Sequence, residues 1–181
     1  MLPFQFSNFT DTVKRYLSEL KQLSNTQRAE IEETNREIEE GLFQAIADPK
    51  KQIEPPARDP IPPYLNFAPL ENAVDLLARS TDHYEKAVAA AGEKASPAVN
   101  KKLIESERLL TDDAGLPNRP WFRHLIYAPG FYTGYGVKTI PGVREAIEQK
   151  RWAEADTQIA RVAKALENEA ALLESAADML K

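Results

Sequence analysis

Apolar residues recur along this chain at spacings of three and four, the interval that places them on one side of an α-helix. Phe9, Val13, Tyr16, Leu17, Leu20 and Leu23 form the first such stripe. Asn8 is positioned to cap it, with Asp11 in the first turn, where negative charge meets the positive end of the helix dipole. Ahead of it, Phe4 and Phe6 alternate with polar neighbours and predict a short extended lead over residues 2–7. A second helix is predicted from Thr26 to Ala47 on a sparser stripe of Ile31, Ile38, Leu42, Phe43, Ala45 and Ile46. Its other positions are dense with charge, including Glu32 and Arg36 at i,i+4 spacing, and a solvated helix face explains that density.

Seven of the thirteen prolines then fall between Pro49 and Pro69, so this stretch cannot be helix interior. Asp48-Pro49, Pro55-Pro56 and Pro60-Ile61-Pro62-Pro63 predict an extended surface loop over 49–69. Pro69 suits the first turn of the next helix, which continues through Leu70, Val74, Leu77, Tyr84, Val88 and Ala91 until Gly92 stops it. Ser96 as cap and Pro97 at the first helical position start another, with Val99, Leu103, Ile104 and Leu110 as its buried side. After a short helical piece from Val143 to Gln149, a long stripe runs through Trp152, Ile159, Val162, Leu166, Ala170, Leu173, Ala177 and Leu180. Each buried Leu or Ile contributes roughly 1.5–3 kcal/mol. No strand pattern of useful length is present. The predicted fold is all-α: a helical bundle of about four main helices, forming a single domain over 1–181.

Residues 111–142 break this periodicity. They hold six of the fifteen aromatics (Trp121, Phe122, Tyr127, Phe131, Tyr132, Tyr135), and four of the seven glycines lie between Gly130 and Gly142. Aromatics need burial and glycines permit tight turns, so the stretch predicts a long ordered loop before the last helix, of the kind that carries function or an interface.

Composition narrows the chemistry. At 181 residues, with 43% apolar and 28% charged, the chain can bury a core and is not globally disordered. Its net charge of -5 argues against nucleic acid. The absence of cysteine removes disulfides, thiolate metal sites and cysteine nucleophiles. No apolar run approaches the roughly 20 residues that span a bilayer, so no direct membrane insertion is expected. Met1 to Phe6 lacks the basic start and cleavage motif of a signal peptide.

Candidate catalytic groups are sparse. His83 and His124 lie 41 residues apart, with no His-Glu-x-x-His spacing, so no metal site is expected in this chain. His83, flanked by Asp82, Tyr84 and Glu85, reads as a surface histidine, and Asp112-Asp113 before Gly115 reads as a turn. The glutamates of 30–40 read as a solvated face, and Asn8-Phe9-Thr10 matches the glycosylation triplet, which matters only in a secretory pathway. No nucleophile–base arrangement or phosphate-cradling glycine loop is present, so no catalytic residue is expected and the chain alone is not read as an enzyme.

The run Leu116-Pro117-Asn118-Arg119-Pro120-Trp121-Phe122-Arg123-His124-Leu125-Ile126-Tyr127-Ala128-Pro129 resembles a signature in the C-terminal domain of glutamate-carboxypeptidase-type zinc peptidases and transferrin receptors. The similarity continues to Tyr135 and Pro141-Gly142, and extends to Leu2-Pro3-Phe4, residues 70–91 and residues 143–180. It is weakest at 24–63. The resemblance implies a transferrin receptor-like dimerisation domain, a fragment of a longer protein whose zinc ligands sit in a separate protease-like domain. It implies a homodimer, with the parent's protease-like and apical domains as further partners and zinc as a cofactor outside this chain. In those peptidases a Lys-Tyr pair on the loop after the Ala-Pro step recognises a substrate carboxylate. Tyr135 keeps the tyrosine, while Gly134 stands at the lysine position and Lys138 lies three residues beyond Tyr135. Tyr135 is therefore the implied substrate-binding residue of the full-length protein, with Arg123, His124, Tyr127, Pro129, Pro141 and Gly142 shaping the loop. A catalytically silent receptor-like relative and a stand-alone protein-binding scaffold are the alternatives, and the compartment stays open between secreted, periplasmic and membrane-anchored.

Overall fold

One helix covers what the apolar pattern divides in two. Ser24, Asn25 and Thr26 interrupt the stripe, but none is a glycine or proline, so nothing local forces a break. In the computed structural model, which describes residues 4–46, 56–92 and 97–181, helix α1 runs from Phe6 to Glu39. It begins earlier than the predicted cap: Gln5 precedes it without a side-chain bond, and Asn8 lies inside the first turn. Phe6, Val13, Leu17, Leu20 and Ser24 are buried, and no residue of α1 beyond Ser24 is. The distal half therefore needs another support. The chain turns at Gly41, in the left-handed region at φ +71°, into the single turn α2, Leu42–Ala45.

That support is the irregular stretch 56–67, which runs back along α1. Asn35 grips Asp59 twice, donating to its carbonyl at 2.8 Å and accepting from its amide at 3.1 Å. Arg58 pairs with Glu39 at 2.5 Å, and Arg28 donates to the Pro62 carbonyl while lying over the Tyr64 ring at 4.2 Å. Arg28 also takes Glu32 at 2.9 Å, so the predicted Glu32–Arg36 pair gives way to Arg36–Glu33 at 2.6 Å. The predictions at Leu2-Pro3, Pro49, Pro55 and Ser96 lie outside the described residues.

Helix α3, Ala68–Ala91, carries Pro69 in its first turn and ends at Gly92. It buries Leu70, Ala73, Val74, Leu77 and Tyr84. Its neighbours are α1 and the last long helix, α7. Side-chain ties give the directions. Thr10 meets Thr81 at 2.9 Å, and Lys21 meets Glu71, so α1 runs antiparallel to α3. The Asn66 amide reaches Asp156 at 3.2 Å, and His83 Nδ1 reaches Glu174 at 2.6 Å, so α3 and α7 run parallel. His83 is thus a half-buried tie between helices and not a free surface histidine. Helix α7, Trp152–Asp178, buries Ile159, Val162, Leu166, Leu173 and a row of alanines, Ala155, Ala163, Ala170 and Ala177. The small side chains let α3 lie close, where dispersion contacts are densest.

Two short helices follow α3. Helix α4, Pro97–Leu103, and helix α5, Ser106–Leu109, replace the single helix predicted there. The break at Ile104-Glu105 turns Ile104 outward, 58% exposed, while Val99, Leu103 and Leu110 are buried as the spacing requires. Helix α6, Pro141–Glu148, precedes α7. The fold is mostly helical but not purely so. Tyr127–Pro129 (β1) and Val137–Thr139 (β2) pair antiparallel, with Ala128 opposite Lys138. Three-residue strands are too short to show alternation in the sequence.

Inside the helix layer, Glu169 is fully buried. Its Oε1 accepts from Ser106 Oγ at 2.6 Å, while Oε2 has no partner. Burial pushes its pKa up; the Ser106 bond opposes this and the charge of Glu107 adds to it. A carboxyl raised above the ordinary 4.5 binds a proton more tightly folded than unfolded, so its contribution to stability falls as pH rises above that value. Glu169→Gln keeps the acceptor for Ser106 and removes the titration. Urea unfolding across pH 4 to 8 should show the variant gaining on the wild type towards pH 8, by on the order of 1 kcal/mol. A constant difference across that range would show that folding does not raise the Glu169 pKa.

Candidate functional site

The loop between α5 and α6 is built in two tiers. The lower tier folds residues 110–125 back on themselves. Leu125 N donates to Leu110 O at 2.9 Å, Asp112 N to Arg123 O at 2.9 Å, and Leu116 N to Phe122 O at 2.8 Å. Gly115 makes the turn possible: its φ is +66°, and a Cβ there would stand 2.2 Å from the Pro120 carbonyl oxygen. Asn118, at φ +60°, is a residue type that tolerates this region. The expected Asp112-Asp113 turn is seen in detail. Asp112 accepts the Ala114 amide at 2.8 Å and the Arg161 guanidinium of α7 at 3.0 Å. Partial burial pushes the Asp112 carboxyl up, yet the Ala114 and Arg161 bonds outweigh it and hold the pKa below the ordinary value. Arg161 also donates to Gly115 O at 2.9 Å, pinning this tier to the last helix.

The upper tier is the β1–β2 hairpin. It is fastened by Arg119, which is buried. Its guanidinium donates to the Pro129 carbonyl of β1 and to Glu145 Oε2 of α6 at 2.8 Å. The second oxygen of Glu145 accepts the Phe131 amide at 2.8 Å. The rings of Phe122 and Phe131 lie 5.6 and 5.9 Å from the guanidinium carbon, within cation–π range. On the other side of the hairpin, Arg144 of α6 joins Thr139 Oγ1 at 2.7 Å to Glu19 of α1 at 2.9 Å. Ile140 leads into α6 with φ +44°, a strained value for a β-branched residue. Its fully buried side chain and the bond from its amide to Ile126 O, at 2.7 Å, hold it there.

The residues singled out from sequence occupy different places in this frame. Tyr135 sits at the hairpin tip, 100% exposed. Trp121, Tyr132 and Val137 are also exposed, so the loop presents its aromatics outward as well as inward. Lys138 is paired with Glu148 at 2.7 Å. Arg123 is exposed and bonds Asp113 at 3.0 Å, a tie within the loop; the ties to the helices come from Arg119, Arg144 and Arg161. His124 Nδ1 accepts the amides of Ile126 and Tyr127 at 3.2 and 3.3 Å, which leaves its proton on Nε2, 3.1 Å from Glu107. Burial lowers the His124 pKa, with Glu107 opposing. Tyr127 donates to Glu107 at 2.8 Å and stacks on His124 at 4.0 Å; the Glu107 bond, then burial, raises its pKa. Pro129 supplies the carbonyl for Arg119, Pro141 opens α6, and Gly142 passes so close to α7 that a Cβ would stand 2.8 Å from Gln158 Oε1.

The clamp residues Arg119 and Glu145 escaped the sequence reading. Arg119 lies inside the recognised motif, but nothing in the linear order pairs it with a glutamate 26 positions on. Among the described residues, no three His, Cys, Asp or Glu side chains converge as metal ligands, and no helix is long and apolar enough to cross a membrane.

Comparison with known proteins places this arrangement. The model of the transferrin receptor-like dimerisation domain matches residues 65–174, well over half of the chain. A protein named probable glutamate carboxypeptidase LAMP1 from Arabidopsis thaliana is 40% identical over 82 residues, covering 41% of this chain and 12% of its own length. A probable glutamate carboxypeptidase of Arthroderma benhamiae is 38% identical over 71 residues, covering 39% and 10%. An inactive zinc metalloprotease of Schizosaccharomyces pombe is 34% identical over 68 residues, covering 38% and 8%. The chain thus spans about a tenth of the length of these curated relatives.

Removing one member of a buried ion pair strands the other in a dry site. Arg119→Met should therefore destabilise the chain by about 3–5 kcal/mol in urea unfolding. The double variant Arg119→Met/Glu145→Leu should recover much of that loss, because no charge is left uncompensated. Losses that simply add would show the two side chains to be independent.

Proposed function

The chain belongs to the transferrin receptor-like dimerisation domain family, and from that premise we propose that it is the self-association module of a zinc-peptidase-like protein. The family match over 65–174 carries this reading. The whole of 1–181 acts as one domain, with the proline-rich 49–69 as a loop within it. Two copies associate through apolar helix faces and the aromatic loop, and the parent's protease-like and apical domains are the other partners. Catalysis and zinc belong to those other domains, and this chain supplies no catalytic residue. Its hairpin, residues 127–141, lines one wall of the parent's substrate pocket with Tyr135 towards substrate. The full exposure of Tyr135 and the rigid seat made by Arg119 and Glu145 support that role, since an aromatic group on a fixed mount loses little entropy on binding. Arg123, His124, Tyr127, Pro129, Pro141 and Gly142 hold the shape of that wall.

A second reading is a catalytically silent parent in which only assembly survives. The matched relative named an inactive zinc metalloprotease favours it. A stand-alone protein-binding scaffold is a third, favoured by residues 26–63. That stretch lies outside the family match, yet its residues 56–63 are fastened to the distal half of α1 by their own bonds.

Light scattering over a concentration series should show a monomer–dimer equilibrium for the 181-residue chain. A strict monomer at high micromolar concentration would count against autonomous association. In the full-length protein, Tyr135→Phe should raise KM or lower kcat for a peptide substrate by several-fold, the scale of one lost hydrogen bond. Unchanged kinetics would take Tyr135 out of the pocket.

A further inference from the structure

We propose that the cleft between the start of α1 and the α4–α5 corner binds a small organic cation, an ammonium group on an apolar stem. Phe4, Phe6 and Phe9 line one side and Leu103 and Ile104 the other, with Gln5, Ser106 and Glu107 as the polar groups. The aromatic wall is set by packing: Phe6 meets Tyr84 edge-on at 5.5 Å and Phe4 at 6.1 Å. The cleft holds about 260 Å³. That lies below the usual range for drug-sized ligands and suits a molecule of about ten heavy atoms. It is far too small to seat a protein face, which needs roughly 800 Å² per partner.

Charge decides which small molecule fits. The Glu107 side chain is 64% exposed, and no lysine or arginine among the described residues lies within ion-pair distance of it. The nitrogen beside it is His124 Nε2 at 3.1 Å, on a ring whose burial favours the neutral form. Behind Ser106 lies the buried carboxyl of Glu169, close enough that the Glu107 charge raises its pKa. The cleft therefore combines aromatic rings, an aliphatic wall and a carboxylate that has no cationic side chain beside it, one of its oxygens accepting the Tyr127 hydroxyl at 2.8 Å. A cation gains from the ring quadrupoles and from the carboxylate together, while an anion is repelled and a neutral molecule keeps only the apolar contact.

The probe is phenethylammonium, titrated into the 181-residue chain and followed by amide chemical shifts. Saturable shifts confined to residues 4–9 and 103–110 are expected, with a millimolar Kd. The neutral isostere 2-phenylethanol should bind about tenfold more weakly, and 3-phenylpropanoate should not bind, as the charge argument requires. Glu107→Gln retains an acceptor for Tyr127 and should weaken phenethylammonium binding about fivefold or more. Ile104→Trp, at an exposed position, fills the cleft and should abolish binding without moving the melting temperature. Equal affinity for the amine and the alcohol, an unchanged Kd in Glu107→Gln, or shifts scattered over the whole chain would each overturn the proposal.

Discussion

A guanidinium withdrawn from water must find its hydrogen bonds inside the protein, and three segments meet at Arg119 to serve all of it but Nε. The β1 backbone gives the Pro129 carbonyl, α6 gives Glu145, and Phe122 and Phe131 give their ring faces. Glu145 is itself nearly dry, and it spends its other oxygen on the Phe131 amide. The loop, the hairpin and the helix that follows are therefore positioned by one ion pair. Neither partner can leave without stranding the other, which makes the geometry hard to deform locally.

The helix layer supplies the platform for that clamp. Alanines along α7 let α3 lie close. From the same helix, Arg161 reaches up to Asp112 and to the Gly115 carbonyl, so the loop's lower tier rests on the core through charged bonds. Two carboxyls show how far environment decides behaviour. Asp112 sits in bonds that favour its charge and is held low, while Glu169 lies in a dry site with one hydroxyl donor and is pushed up.

The result is a rigid base under an exposed aromatic tip. Tyr132 and Tyr135 face solvent above a hairpin whose neighbouring cations, Lys138 and Arg144, are already paired with Glu148 and Glu19. The base and the tip both fall within the span that marks the family, 65–174. The distal half of α1 and the segment 56–64 fall outside it, and their polar cross-bonds replace a core that this part of the chain does not have.

The sequence by itself determined the buried faces of the two long helices α3 and α7. Leu70, Val74 and Leu77 on α3, and Ile159, Val162, Leu166 and Leu173 on α7, follow from spacing alone, because a helix face is a local property of the chain. The motif from Leu116 to Pro129 likewise sufficed to identify the family. Helix ends were less legible. Asn8 is a good cap in isolation, but burying Phe6 against Tyr84 extends the helix past it. Ile104 has the right spacing for burial and is exposed, because the chain breaks between α4 and α5. The hairpin and its clamp were decided only in three dimensions. Strands of three residues carry no readable period, and whether Arg119 meets Glu145 or solvent depends on how α6 docks, which no nearest-neighbour pattern encodes.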